Sequence, residues 1–163
     1  LSLHQTIMKM SKLPTGFESQ FVGLYRAGGS RFLMPLIAWN DELSIGNENI
    51  DHQHQHLIGL INSLDEVTQK GGTYKKFAPI LNELIDYTHQ HFTFEENLLE
   101  KNHFPGIEVH KLAHAQLVEE FLDWRKKAES GNVEKLNELM VSLKIWIIGH
   151  IIEVDKRNSP YLK

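Results

Sequence analysis

A chain of 163 residues, 41% apolar and 23% charged, holds enough material for one globular domain around a single core and too little for two. A net charge of −4 with no long run of Lys and Arg excludes the electrostatic footprint of a nucleic-acid or anionic-membrane binder. The absence of cysteine excludes disulfides, thiolate metal sites, iron–sulfur clusters and cysteine nucleophiles; imidazole and carboxylate remain as strong metal ligands, and the chain carries ten His.

Residues 1–33 are rich in Gly, Ser and polar residues (Ser11, Thr15, Gly16, Gly23, Gly28, Gly29, Ser30) without sustained periodicity, and read as an irregular N-terminal arm or extension. They lack the charged-then-apolar layout of a signal peptide, and no segment approaches the ~18 consecutive apolar residues of a membrane span, so a cytoplasmic location is expected. Leu1 is either internal to a longer polypeptide or an unusual start, and Met34-Pro35 offers an alternative one.

From residue 34 onward, four segments place apolar residues at helical spacing. The first carries Ile50, Leu57, Ile61 and Leu64 and ends at Gly71-Gly72. The second carries Phe77, Leu81, Leu84, Leu98 and Leu99 up to Phe104-Pro105-Gly106, with Pro79 either in its first turn or at a kink. The third carries Ile107, Leu117, Phe121 and Trp124 up to Ser130-Gly131-Asn132, and the fourth Leu136, Met140, Leu143, Ile147 and Val154, stopping before Pro160. Four amphipathic helices joined by short loops predict an all-α, antiparallel up-down-up-down bundle over residues 34–163.

Each stripe contains at least one His where Leu or Ile would be expected: His54 in the first, His91 in the second, His110 and His114 at i,i+4 in the third, and His150 in the fourth. Glu95 stands at i+4 from His91, one turn along the same face. One such histidine is ordinarily a satisfied core residue. Five on four converging stripes would cost several kcal/mol to bury without partners, and a metal centre supplies those partners. His52, His56 and His89 are rotated by about 200° from these positions and are expected at the surface, with His103 and His4. A further carboxylate is expected from the fourth segment. Glu153, at i+3 from His150, is the geometric favourite, while Asp155 at i+5 is turned away by about 140°; spacing leaves the choice open.

The run Ile50-Asp51-His52-Gln53-His54-Gln55-His56-Leu57, then His91-Phe92-Thr93-Phe94-Glu95-Glu96, His110 with His114, and His150-Ile151 with Asp155 resembles the bacterial hemerythrins, as does the lead-in Trp39 with Leu43-Ser44-Ile45-Gly46. The resemblance spans about residues 34–156. It implies Asp155 rather than Glu153 as the second bridging carboxylate, and a site of two non-haem iron ions bridged by an oxo or hydroxo group. His110, His114 and His150 would hold one iron and His54 and His91 the other, with Glu95 and Asp155 between them. It implies reversible dioxygen binding at the open position of the two-histidine iron, by a carrier rather than an enzyme, and by analogy a dry lining from Phe92, Trp146, Ile147 and Ile151. Each of these four is equally accounted for by plain core packing. Two ferrous ions, two carboxylates and a hydroxide leave a formal charge of about +1, less anionic donation than in sites built for high-valent iron.

Rival readings are a ferritin-like di-iron oxidase, a sensory domain reading oxygen or redox state for a protein partner if the chain continues beyond Leu1, and a structural zinc site. The oxidase needs two core Glu-x-x-His motifs, and the chain offers only Glu100-Lys101-Asn102-His103, off the stripe.

Overall fold

The computed structural model describes residues 35–129 and 133–163. The arm expected over residues 1–33, with His4, lies outside them, as does the breaker Ser130-Gly131-Asn132. Four long helices follow a short entry segment: α1 (Glu48–Gln69), α2 (Tyr74–Lys101), α3 (Ile107–Glu129) and α4 (Val133–His150). Consecutive helices pack against each other and α4 returns against α1, closing the four-helix bundle. Short connections after α1 and α2 force each next helix to reverse direction.

The apolar stripes meet inside. Ile50, Leu57, Ile61 and Leu64 of α1, Phe77, Leu81, Leu84 and Leu99 of α2, Leu117, Phe121 and Trp124 of α3, and Leu136, Met140, Leu143 and Ile147 of α4 are all buried. Leu98, Ile107 and Val154 fall at the stripe margins and are half-buried; Leu99 takes the core position beside Leu98. Pro79 lies in the second turn of α2, which continues through it. It is exposed, as is Lys75, whose carbonyl loses its helical partner to the missing N–H.

The entry segment is tied to α1 by side chains acting as backbone partners. Ile37 N–H donates to Asn62 Oδ1 at 2.9 Å and Asn62 Nδ2 returns a bond to Ile37 O at 2.8 Å. Asp51 accepts from Ser44 Oγ (2.6 Å) and from Ile45 N–H (2.9 Å). Between them Gly46 adopts φ +82°, a left-handed conformation that costs glycine nothing. Asn47 caps α1 by accepting from Ile50 N–H, and its Nδ2 donates to Leu162 O, clasping the C-terminal end to the start of the bundle.

The ends of α1 and α2 share one design. Gly71 and His103 adopt φ +65° and +55°, and the following N–H groups of Gly72 and Phe104 reach back to Val67 O (2.8 Å) and Leu99 O (2.9 Å). This is the Schellman closure, with glycine in its usual place after α1 and a histidine there after α2.

Helix α4 does not end at His150. It passes into a π-turn over Ile151–Asp155, marked by the Lys156 N–H bond to Ile151 O, then into a helical turn at Lys156–Asn158 and a 3₁₀ turn at Ser159–Tyr161. A π-turn inserts one extra residue into the helical repeat, so residue i+5 comes to stand where i+4 would stand in an α-helix.

Candidate metal centre

Four of the five core histidines read from the stripes are buried in the bundle, and the fifth, His150, is half-buried as a residue with its ring turned inward. His54, His91, His110 and His114 are between 0 and 5% exposed, and the His150 side chain is 8% exposed. Glu95 joins them at 0%, delivered by α2 one turn beyond His91. His52, His56, His89 and His103 are exposed, as expected. Glu100 and His103, the lone Glu-x-x-His, both face outward, so this motif does not enter the core.

On the fourth segment it is Asp155, and not Glu153, whose side chain reaches the core. Its side chain is fully buried, with Oδ2 at 3.2 Å from His54 Nε2 and Oδ1 at 3.1 Å from His150 Nε2. Glu153, the favourite of α-helical spacing, is exposed and pairs with Arg157. The π-turn is the physical reason: it winds Asp155 back over His150, whereas an uninterrupted α-helix would turn it away.

Donor atoms then gather in three overlapping sets: His54, His91 and Asp155; Glu95, His110 and Asp155; Glu95, His114 and His150. Within each set the atoms lie within 4.8 Å of one another. Glu95 Oε2 stands 3.4 Å from His110 Nε2 and 3.6 Å from His114 Nε2, and His114 Nε2 stands 3.2 Å from His150 Nε2. The two carboxylates are thus shared between sets. Asp155 directs one oxygen toward each side, and Glu95 belongs to both groupings that contain α3 histidines.

Few of these atoms have a hydrogen-bond partner in the protein. His54 Nδ1 and Nε2, His91 Nε2, His110 Nε2 and both oxygens of Glu95 and of Asp155 are buried and unbonded. The His54–Asp155 and His150–Asp155 approaches are close enough for Coulombic attraction without hydrogen-bond alignment. Each such group costs about 1–3 kcal/mol to bury unpaired. A cation at the convergence of these lone pairs removes that cost, so the residues fit a metal.

Electrostatics point the same way. Burial holds His91 and His114 well below the usual imidazole pKa, helped for His91 by His54 and for His114 by His150 and His110. These rings stay neutral, the form that binds metal. Burial also acts to raise Asp155, but His150 and His54 overcome it and hold the carboxyl well below its usual range. Glu95 is raised, by burial and then by Asp155. Two carboxylates so close in a dry interior call for positive charge between them.

Outside the donors stand residues that spacing did not single out. His91 Nδ1–H donates to Gln53 Oε1 at 2.8 Å, and His114 Nδ1–H donates to Glu96 Oε1 at 2.8 Å. The Asn158 side-chain amide lies 3.3 Å from His110 Nδ1. Gln53 and Glu96 adjoin His54 and Glu95 in sequence, which was the available signal. Phe92 stacks on His114 with ring centroids 3.6 Å apart and planes 4° apart, and Trp146 lies 5.9 Å from His150 and 6.5 Å from Phe92. Ile147 and Ile151 are buried on either side of the His150 turn.

A four-helix bundle whose facing helices present imidazoles and shared carboxylates to a buried centre belongs to the metal-binding class of bundles. Comparison with known proteins makes the class specific. Residues 45–162 match the model of the hemerythrin HHE cation binding domain. A bacteriohemerythrin of Stenotrophomonas maltophilia is 32% identical over 130 residues, covering 80% of this chain and 84% of that protein; one of Methylococcus capsulatus is 30% identical over 130 residues, covering 79% and 98%. The crystal structure of a wild-type hemerythrin superposes with a TM-score of 0.67 at 28% identity, over 78% of this chain and 98% of the other. The chain belongs to the hemerythrin family. Among its described residues no helix is long and apolar enough to cross a membrane.

Proposed function

We propose that the bundle of residues 34–163 binds dioxygen reversibly at a non-haem di-iron centre, as a carrier or store and not as an enzyme. His110, His114 and His150 would hold one iron and His54 and His91 the other, with the Glu95 and Asp155 carboxylates shared between them. When bound, the ferrous pair supplies the electrons and the open coordination position that dioxygen needs. The observation that carries this reading is the set of buried, unbonded lone pairs on imidazoles and two shared carboxylates, converging from four helices.

The chain's own residues account for the rest. Gln53 and Glu96 accept the Nδ1 protons of His91 and His114, which leaves each Nε2 lone pair directed inward. The side with only two histidines has fewer protein donors and is where a small ligand enters. Phe92 against His114 and Trp146 against His150, with Ile147 and Ile151, surround the site with apolar surface that excludes water. A ligand set dominated by neutral imidazole favours reversible binding over oxygenation of a substrate.

The test is an absorption spectrum of anaerobically reduced protein before and after air and then under vacuum, together with an iron count. Two irons per chain and one oxygenated species that reverts are expected. Continuous oxygen consumption would identify an oxidase instead, and zinc in place of iron a structural site; either result overturns the proposal.

A further inference from the structure

The two histidines with firmly placed Nδ1 partners differ in what they are bonded to. Glu96 and Gln53 accept at the same distance, 2.8 Å, each through its Oε1, a carboxylate oxygen in the first and a neutral amide oxygen in the second. Glu96 follows Glu95 directly on α2, so one helical turn delivers a carboxylate into the donor cluster and a second one behind His114 on α3. Its side chain is 22% exposed, so Glu96 stands at the edge of the donor cluster and not at its centre. On the opposite side His54 Nδ1 has no partner, and on the same side as His114 the neighbour of His110 Nδ1 is the neutral amide of Asn158. Among the described residues, the only carboxylate bonded to an Nδ1 is on the three-histidine side.

A carboxylate behind a ligating imidazole raises its basicity and donor strength; an amide fixes the ring's orientation and tautomer while adding no charge. We infer that Glu96 and Gln53 are positioning residues that make the two metal positions unequal: Glu96 strengthens the His110–His114–His150 position, and Gln53 leaves the His54–His91 position weaker and easier to reduce. This rests on the di-iron reading above. It means that the metals load in order, three-histidine position first, and that the position left open for dioxygen is also the more exchangeable one.

The experiment is titration of metal-free protein with Co²⁺, followed by absorption, for the natural chain, Glu96→Gln and Gln53→Glu. Each substitution keeps an acceptor oxygen and changes only its charge, and thermal melts of the metal-free variants check that the fold is kept. The natural chain is expected to take up two Co²⁺ in separate steps. Glu96→Gln should weaken the tighter step by about 10- to 100-fold and leave the other in place. Gln53→Glu should tighten the weaker step and narrow the gap. In iron-loaded protein, Glu96→Gln should raise a reduction potential and Gln53→Glu lower one, opposite signs that a loss of packing would not produce. Two Co²⁺ bound with both steps unmoved by Glu96→Gln, or weakened equally, overturns the inference and spares the di-iron reading. Failure of the natural chain to bind Co²⁺ overturns both.

Discussion

Asp155 and Glu153 lie two positions apart and have opposite fates. Glu153 pairs with Arg157 at the surface, an exposed i,i+4 pair whose worth is small, so Glu153→Ala should change stability by no more than about 0.5 kcal/mol and leave the iron content intact. Asp155→Ala removes a carboxylate shared by two donor sets and should abolish loading of the pair, read as iron per chain. Equal iron content in the two variants would contradict the assignment of Asp155. The histidines divide similarly. His54→Ala or His91→Ala should eliminate the spectral response to dioxygen while one iron stays bound; loss of both irons would contradict the division into a two-histidine and a three-histidine position.

At the scale of elements, the two Schellman closures offer an internal comparison. Gly71 occupies the left-handed position after α1 at no steric cost, whereas His103 occupies its counterpart after α2 with a side chain that has to tolerate φ +55°. His103 is exposed and outside the donor cluster, so His103→Gly should stabilise the chain by about 1 kcal/mol, seen as a higher urea midpoint at unchanged slope. A lower midpoint would mean that the imidazole has a stabilising role beyond the turn. The π-turn after α4 serves the opposite end. It brings Asp155 beside His150 and then places Asn158 near His110, so one local irregularity sets the register of the site's last elements.

For the molecule as a whole, metal and proton compete for the same interior. In the metal-free protein His91 and His114 are held below the usual imidazole pKa, by burial first and then by neighbouring imidazoles. Below about pH 6.5 the unfolded chain takes up protons at these positions that the folded chain refuses, so stability falls with pH, by about 1.4 kcal/mol per pH unit for each histidine. His150 adds no slope there. Burial acts to lower it, but Asp155 and Glu95 outweigh that and raise it, so it is protonated in both states and its contribution is already complete. Glu95, raised by burial and by Asp155, gains a proton on the folded side and offsets part of the loss. Urea midpoints of metal-free protein should therefore drop between pH 6.5 and pH 5; a rise would contradict the burial of neutral rings. Removing the iron at constant pH should lower the melting temperature by several degrees, because the unbonded donors lose their partner. An unchanged melting temperature would argue against a site in the core.

The sequence by itself determined the four helices and the five core histidines, because each helix has to bury one stripe and a polar residue inside that stripe is visible at α-helical spacing. Glu95 was legible for the same reason, one turn from His91 on a regular helix. Asp155 was not legible from spacing, since the π-turn breaks the period on which the reading relied, and only likeness to a family pointed to it. Asn158, and the hydrogen bonds that Gln53 and Glu96 make beyond their adjacency to His54 and Glu95, were decided by the tertiary structure. A hydrogen bond from α1 to α2, from α2 to α3, or from the C-terminal turn to α3 depends on how the helices are rotated and paired, and the pattern along one chain does not carry that information.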